Sequence, residues 1–204
     1  METDEIFSTP DFKKCIEFHG HICPGLAVGY KAAKAGMAWL EENRAEDEEL
    51  VAIVETDACG ADALQVLTGC TLGKGNFFYR DYGKQAFTLA ERKSGRAVRL
   101  ALKPGVLELS ERHRHLIDQL REGKATEGER KEFQALHLEK SREILEMDPG
   151  NLFTIQRTNL SLPPKARIDI SKPCLFCGEP TMCSKLVPFE DKEICRACFN
   201  VRKT

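Results

Sequence analysis

Two imidazoles and a thiol stand at alternate positions in one short stretch, at His19, His21 and Cys23, with Pro24 directly after. Proline at the first helical position needs no backbone N–H and already holds helical φ. Pro24 therefore predicts a helix start with Cys23 at or beside its N-cap. The free N–H groups and positive dipole end of a helix favour a thiolate, so an acidified Cys23 is expected. In an extended chain side chains two apart point the same way, which would turn His19 and His21 to one side of the segment broken by Gly20. Imidazole with thiolate suits zinc or another borderline-soft transition metal. The bland alternative is a buried turn with satisfied histidines.

A second thiol in the same setting is Cys59, where an apolar run ends and a helical pattern opens. The expectation is again an acidified thiol, with Asp57 as orienting group or proton acceptor. Cys70 is harder to include. If residues 61–67 are helical, Cys59 and Cys70 lie roughly 12–16 Å apart at ~1.5 Å rise per residue. Two thiolates on one zinc must lie within about 4 Å of each other. Cys70 joins only if the chain folds back or a second protomer contributes. His21, Cys23 and Cys59 thus rank above His19 and Cys70 as ligands, and His21, Cys23, Cys59 and Asp57 are the candidate catalytic groups.

The second chemical site is C-terminal. Cys174 and Cys177, then Cys195 and Cys198, form two C-x-x-C pairs separated by 17 residues. That spacing fits a four-thiolate zinc. Four thiolates close the tetrahedron and leave no position for substrate, so the site reads as structural. About thirty residues surround it, too few for a core of their own, and the metal must supply most of the folding energy. Cys183 is a second-choice ligand, and a redox C-x-x-C is the non-metal alternative. The pattern from Glu193 to Phe199 resembles the knuckle and helix of a treble-clef zinc finger. From Lys172 onward six Lys or Arg stand against four Asp or Glu, a weak basic excess that gives no clear vote for nucleic acid.

Several elements must carry these groups. Ser8, Thr9 and Pro10 start a helix through Phe12, Cys15 and Ile16 that delivers the histidines. A helix over 24–42 carries an apolar stripe of Leu26, Tyr30, Ala33, Met37 and Leu40. Gly25, Gly29 and Ala33, four apart on it, form a smooth ridge for close approach by the site loop or a dimer partner. Residues 41–49 are a charged connection, and 50–55 a buried strand. A short helix over 61–67 closes at Gly69, and 70–82 reads as a loop anchored by Phe77 and Phe78. Lys93, Ser94 and Gly95 join two hairpin strands over 85–92 and 96–102, and 151–158 adds another. Ser110 caps one helix, and Thr126 with Glu129 forms a capping box for a second ending near Met147. His113 and His115 point some 200° apart on a helix and are read as surface residues. Residues 69–75 superficially resemble a phosphate loop, but the spacing is one short and a glycine replaces the Ser/Thr that would hold magnesium. Lys74 is read as solvent-exposed.

The whole chain of 204 residues is 42% hydrophobic and 30% charged, an ordinary globular composition. A net charge of -2 argues against a general nucleic-acid binder. The first five residues lack a signal-peptide pattern, and no run approaches the ~18 apolar residues of a membrane span. A cytoplasmic protein with no membrane partner is expected. Its nine cysteines are then metal ligands or reactive thiols rather than disulfides. Three prolines over 160–173 mark a linker. The domain reading is an α+β core over 1–160, a linker over 161–171 and a four-cysteine zinc finger over 172–204.

Three blocks of this sequence resemble the signature blocks of the FmdE-like family, named for the E component of formylmethanofuran dehydrogenase. They are Phe18-His19-Gly20-His21-Ile22-Cys23-Pro24-Gly25, Glu55-Thr56-Asp57-Ala58-Cys59-Gly60-Ala61-Asp62-Ala63 and Thr68-Gly69-Cys70-Thr71-Leu72-Gly73-Lys74-Gly75-Asn76. The likeness is close over residues 10–105 and looser to 160, and some members carry a C-terminal zinc finger. It implies an α+β core forming an intertwined homodimer, with the signature Cys and His lining a cleft. It also implies a link to the molybdenum or tungsten enzyme that reduces carbon dioxide onto a one-carbon carrier. That enzyme's redox chemistry needs a pterin-bound metal and iron–sulfur clusters, and this chain shows neither a pterin fold nor a ferredoxin-like cysteine run. Two readings follow. In the first, the protein acts in one-carbon or redox metabolism through a core transition metal, zinc being one option, or a Cys23 nucleophile, with structural zinc in the finger. In the second, it is a metal-sensing or regulatory module whose finger contacts protein or nucleic acid.

Overall fold

The apolar run 50–54 becomes an interior strand of a five-stranded sheet, flanked on both sides. The structure, a computed structural model, describes residues 5–41 and 44–202. The strands are β1 (Leu50–Val54), β2 (Phe77–Tyr79), β3 (Ala86–Glu91), β4 (Arg96–Leu102) and β5 (Phe153–Asn159), in the order β2-β1-β3-β4-β5. β3 and β4 form the expected hairpin, with Gly95 at φ +73° in the turn. β2 departs from the sequence reading. It pairs parallel with β1 inside the segment read as a loop, and buries Phe77 while Phe78 is half-buried. The mixed sheet and its helices make the α+β core anticipated from the patterning.

The helices are α1 (Pro10–His19), α2 (Pro24–Leu40), α3 (Gly60–Thr68), α4 (Glu111–Arg121), α5 (Glu127–Glu146) and the short α6 (Pro149–Leu152). α2 ends at Glu41 in the left-handed conformation, and the position Glu42 expected as its end lies outside the described residues, as does the acidic N-terminus at Met1–Asp4. α6 occupies the first part of the strand expected over 151–158. Its Pro149 sets helical φ and delays the extended chain until Phe153. Ser110 accepts from His113 N, and Thr126 with Glu129 forms a complete capping box. One face of the sheet, through Ala52, Val54, Phe87, Leu89, Val98 and Leu100, joins Leu26, Ala32, Ala33 and Leu64 in the main core. α5 packs along α2.

The ridge on α2 is used by the site loop. A Cβ on Gly29 would collide with Gly60 Cα and carbonyl, and one on Gly25 would lie 3.2 Å from Cys59 Cβ. Glycine inside a helix costs about 1 kcal/mol against alanine. The return is the backbone approach of α3, which sets Cys59 beside Cys23. Lys74, read as exposed, is instead a loop staple. Its ammonium donates to the carbonyls of Ala45, Glu46, Asp47 and Gly69 at 2.9–3.4 Å.

The chain divides into two units, Met1–Lys165 and Ala166–Thr204. Residues 161–165 go with the first, where Arg92 Nη1 donates to Pro163 O at 2.6 Å. The second unit consists of the hairpin β6 (Ser171–Pro173) with β7 (Pro180–Met182), the hairpin β8 (Leu186–Phe189) with β9 (Lys192–Cys195), and α7 (Arg196–Arg202). Its core is small, namely Cys174, Ile194 and Cys195 with Val187, Phe189, Cys198 and Phe199 against them. No described helix is long and apolar enough to cross a membrane.

Candidate metal centres

His19 closes α1, and Gly20 follows at φ +94°, a left-handed cap open to glycine at little cost. This turn, rather than an extended segment, brings His19 and His21 to the same side, with ring centroids 4.4 Å apart. His21 is exposed and His19 half-buried. Cys23 caps α2, its Sγ accepting from Leu26 N at 3.4 Å. One ligand atom each from His19, His21 and Cys23 lies within 4.8 Å of the others.

The orientation of His19 comes from a residue the sequence reading overlooked. Its Nδ1 lies 2.7 Å from Asp62 Oδ2. A carboxylate only accepts, so Nδ1 carries the hydrogen and Nε2 presents its lone pair. Nε2 faces Cys23 Sγ at 3.7 Å. A carboxylate behind an imidazole whose other nitrogen faces outward is how proteins orient metal-ligating histidines. Asp57, expected in that role, is exposed instead. The only sequence sign of Asp62 is its place in the first turn of α3, an acidic residue at a helix start.

Cys23 is not acidified as expected. Burial pushes Cys23 up to about 11, and the nearby Cys59 thiol adds to this against the Leu26 and Gly25 N–H groups. The helix N-terminus is outweighed because Cys23 is only 4% exposed. Cys59 precedes α3 without a side-chain capping bond. An ideal Cβ at Gly25 would lie 3.7 Å from Cys59 Sγ and 3.9 Å from Cys23 Sγ, so the two sulfurs flank bare backbone. Cys70 lies apart from this group, at the far end of α3, fully buried and pushed up to about 11 by burial. Cys15 is likewise buried and held at about 11.

In the second unit Cys174, Cys177, Cys195 and Cys198 have sulfurs within 4.8 Å of one another. Tetrahedral Zn–S bonds of ~2.3 Å put sulfurs about 3.8 Å apart, and Cys177 Sγ is 4.0 Å from Cys195 Sγ. Backbone N–H groups of Cys177 and Cys195 draw Cys174 down to about 6, whereas lost solvation and the neighbouring thiols push Cys198 up to about 12. The Cys174 thiolate forms readily, and a nearby cation favours loss of the Cys198 proton. Cys183 lies outside the group.

His113, read as a surface residue, is 3% exposed. Its Nε2 sits 2.8 Å from His137 Nδ1 on α5, and Phe133 packs on both rings. His115 is exposed as expected. No local pattern joins His113 to a residue 24 positions on.

Residues 18–154 match the family described as "FmdE, Molybdenum formylmethanofuran dehydrogenase operon". The chain belongs to the FmdE family. A curated relative from Archaeoglobus fulgidus, "Probable S-adenosyl-L-methionine-binding protein", is 33% identical over 179 residues, 83% of this chain. The chain spans only 48% of that relative's length. The crystal structure of an FmdE-like protein of the tungsten formylmethanofuran dehydrogenase type, from Syntrophus aciditrophicus, superposes with a TM-score of 0.60 at 22% identity. That match covers 99% of this chain and 94% of the other, and it establishes likeness of fold.

Proposed function

We propose that this FmdE-family protein holds a transition metal at His19, His21 and Cys23 and acts on a small substrate in one-carbon or redox metabolism. The observation that carries this reading is His19, hydrogen-bonded through Nδ1 to Asp62 while Nε2 faces Cys23 Sγ at 3.7 Å. A structural imidazole needs no carboxylate behind it and a thiol in front. Asp62 fixes the tautomer. Cys23 would hold the metal as its thiolate, its proton passing to solvent, and Cys59 beside it would offer a second sulfur ligand. The exposed ring of His21 stands where a substrate would arrive. A bound metal supplies Lewis-acid polarisation of an oxygen-bearing ligand. In the second unit the four thiolates hold zinc structurally, in a treble-clef arrangement. The protein is proposed to be a cytoplasmic homodimer. The ligand in the archaeal relative's name belongs to a considerably longer chain and forms no part of this proposal.

The test is metal content by mass spectrometry on protein purified without added metal, comparing the full chain with a His21→Ala, Cys23→Ser variant. Loss of one metal per chain with the finger zinc retained supports the core centre. Equal metal content in both proteins sinks it.

A regulatory reading has one observation in its favour. Leu175 and Phe176, between the first two thiols, are 59% and 53% exposed, with Arg202 over the Phe176 ring. An apolar knuckle tip held by a cation suits contact with a protein partner better than with nucleic acid.

A further inference from the structure

The face of the sheet turned away from the main core carries a charged concavity that the His/Cys centre does not use. Ile53, Thr88, Arg99 and Gln156 stand side by side across β1, β3, β4 and β5. With Arg80, Thr158 and Leu160 they line a cavity of about 550 Å³ that shares no residue with the His19, His21 and Cys23 group.

Glu55 lies at its floor, 8% exposed. Arg99 clamps it through both guanidinium edges, Nε to Oε1 at 2.7 Å and Nη2 to Oε2 at 2.9 Å. This pair is self-sufficient, and it fixes Arg99 in place. Two further cations crowd the same carboxylate, Lys84 and Arg80. Lys84 is held there because its backbone N–H donates to Glu55 O at 2.9 Å, and Arg80 because its own donates to Val54 O at 2.8 Å. Among the described residues the Arg80 guanidinium makes no hydrogen bond or ion pair. Asp81 hydrogen-bonds the neighbouring Tyr79 hydroxyl, with Asp57 close to it. Among the residues lining the cavity Arg80, Arg99 and Arg157 stand against the single carboxylate of Glu55, so positive charge is in excess in a concave, half-apolar site. A field of that kind concentrates anions, and planar guanidinium forks suit carboxylate and phosphate oxygens.

We infer that this cavity binds a small dianion, through carboxylate or phosphate oxygens, with Arg80 and Lys84 closing on a ligand seated beside the fixed Arg99. Its volume falls in the range of small-molecule sites. Glu55 keeps Arg99 from folding over the opening. Thr88 and Gln156 supply neutral hydrogen bonds, and Ile53 and Leu160 accept an apolar spacer.

The inference is tested by calorimetric titration of the full chain with sodium phosphate and, separately, with sodium succinate, ionic strength being held constant with sodium chloride. Saturable one-to-one binding of either anion in the millimolar range or tighter supports the site. Phosphate alone assigns tetrahedral oxyanions, and succinate alone assigns carboxylates. Arg80→Ala and Lys84→Ala should each weaken binding about tenfold, the worth of one charge-assisted contact. Both side chains lie outside the core, so these variants fold. The Arg99 Nε–H resonance should shift during the titration, which places the anion at this cavity. No saturable heat with either anion, or unchanged affinity in the Arg80→Ala, Lys84→Ala double variant, overturns the inference.

Discussion

Asp62 settles which nitrogen of His19 meets the thiol, and so it governs the chemistry of the core group more than its half-buried position suggests. Without the carboxylate, the His19 ring is free to take either tautomer, and half of the lone-pair orientation is lost. Removing such an orienting group costs about 10–100-fold in metal affinity elsewhere. Asp62→Ala is therefore expected to weaken cobalt(II) binding at the core by about that factor, read from the thiolate-to-metal absorption band. Its melting temperature should change little, because the Asp62 side chain is 34% exposed and water can reach the place it leaves. Cys23 illustrates a second point at this scale. Its N-cap position favours the anion, yet burial prevails and the thiol is held at about 11 until a cation takes the proton's place.

At the scale of elements, the α4–α5 hairpin is joined by the His113–His137 hydrogen bond of 2.8 Å. Burial, then the charge of Lys140, holds His113 below its ordinary value of 6.5. Burial, then His113 and His21, does the same to His137. Both groups bind protons more weakly in the folded chain than in the unfolded one. The unfolded state therefore takes up protons first as pH falls below 6.5. Stability from this pair is full above that pH and declines below it. Calorimetric melting on either side of pH 6.5 should show a fall of several degrees on the acid side. His113→Gln, which keeps a hydrogen-bonding side chain without titrating, should remove about half of that fall. α2 and α3 make a different kind of joint. Gly29 and Gly60 touch backbone to backbone, and the Cys23–Cys59 neighbourhood exists only because of that contact.

For the whole molecule, the two units differ in what holds them together. The first has an apolar core running from Phe7 to Phe153, whereas the core of the second has, among the described residues, three buried side chains, two of them cysteines. A structural zinc contributes about 10–16 kcal/mol on binding, which exceeds anything so small a core can supply. A strong chelator added to the full chain should collapse the amide dispersion of residues 166–204 in a nitrogen-correlated NMR spectrum. The resonances of residues 5–165 away from the core centre should persist. Simultaneous loss of both sets would mean that the first unit also depends on metal to fold.

Much of this architecture was legible in the amino-acid order because its signals are local. A capping box spans four residues, a hairpin turn three, and a C-x-x-C knuckle four, so Thr126 with Glu129, Lys93 to Gly95 and the four finger thiols declare themselves. β2 did not, since three residues between glycines carry too little periodicity to separate strand from loop. The rest depended on packing. Asp62 reaches His19 across 43 positions and His137 reaches His113 across 24. Lys74 was legible as a charge but not as a staple, because the carbonyls it gathers lie up to 29 positions away. Residue types determined which groups could do chemistry here. The close contact of α2 with α3, and the burial that follows from it, decided which groups meet and which of them keep their protons.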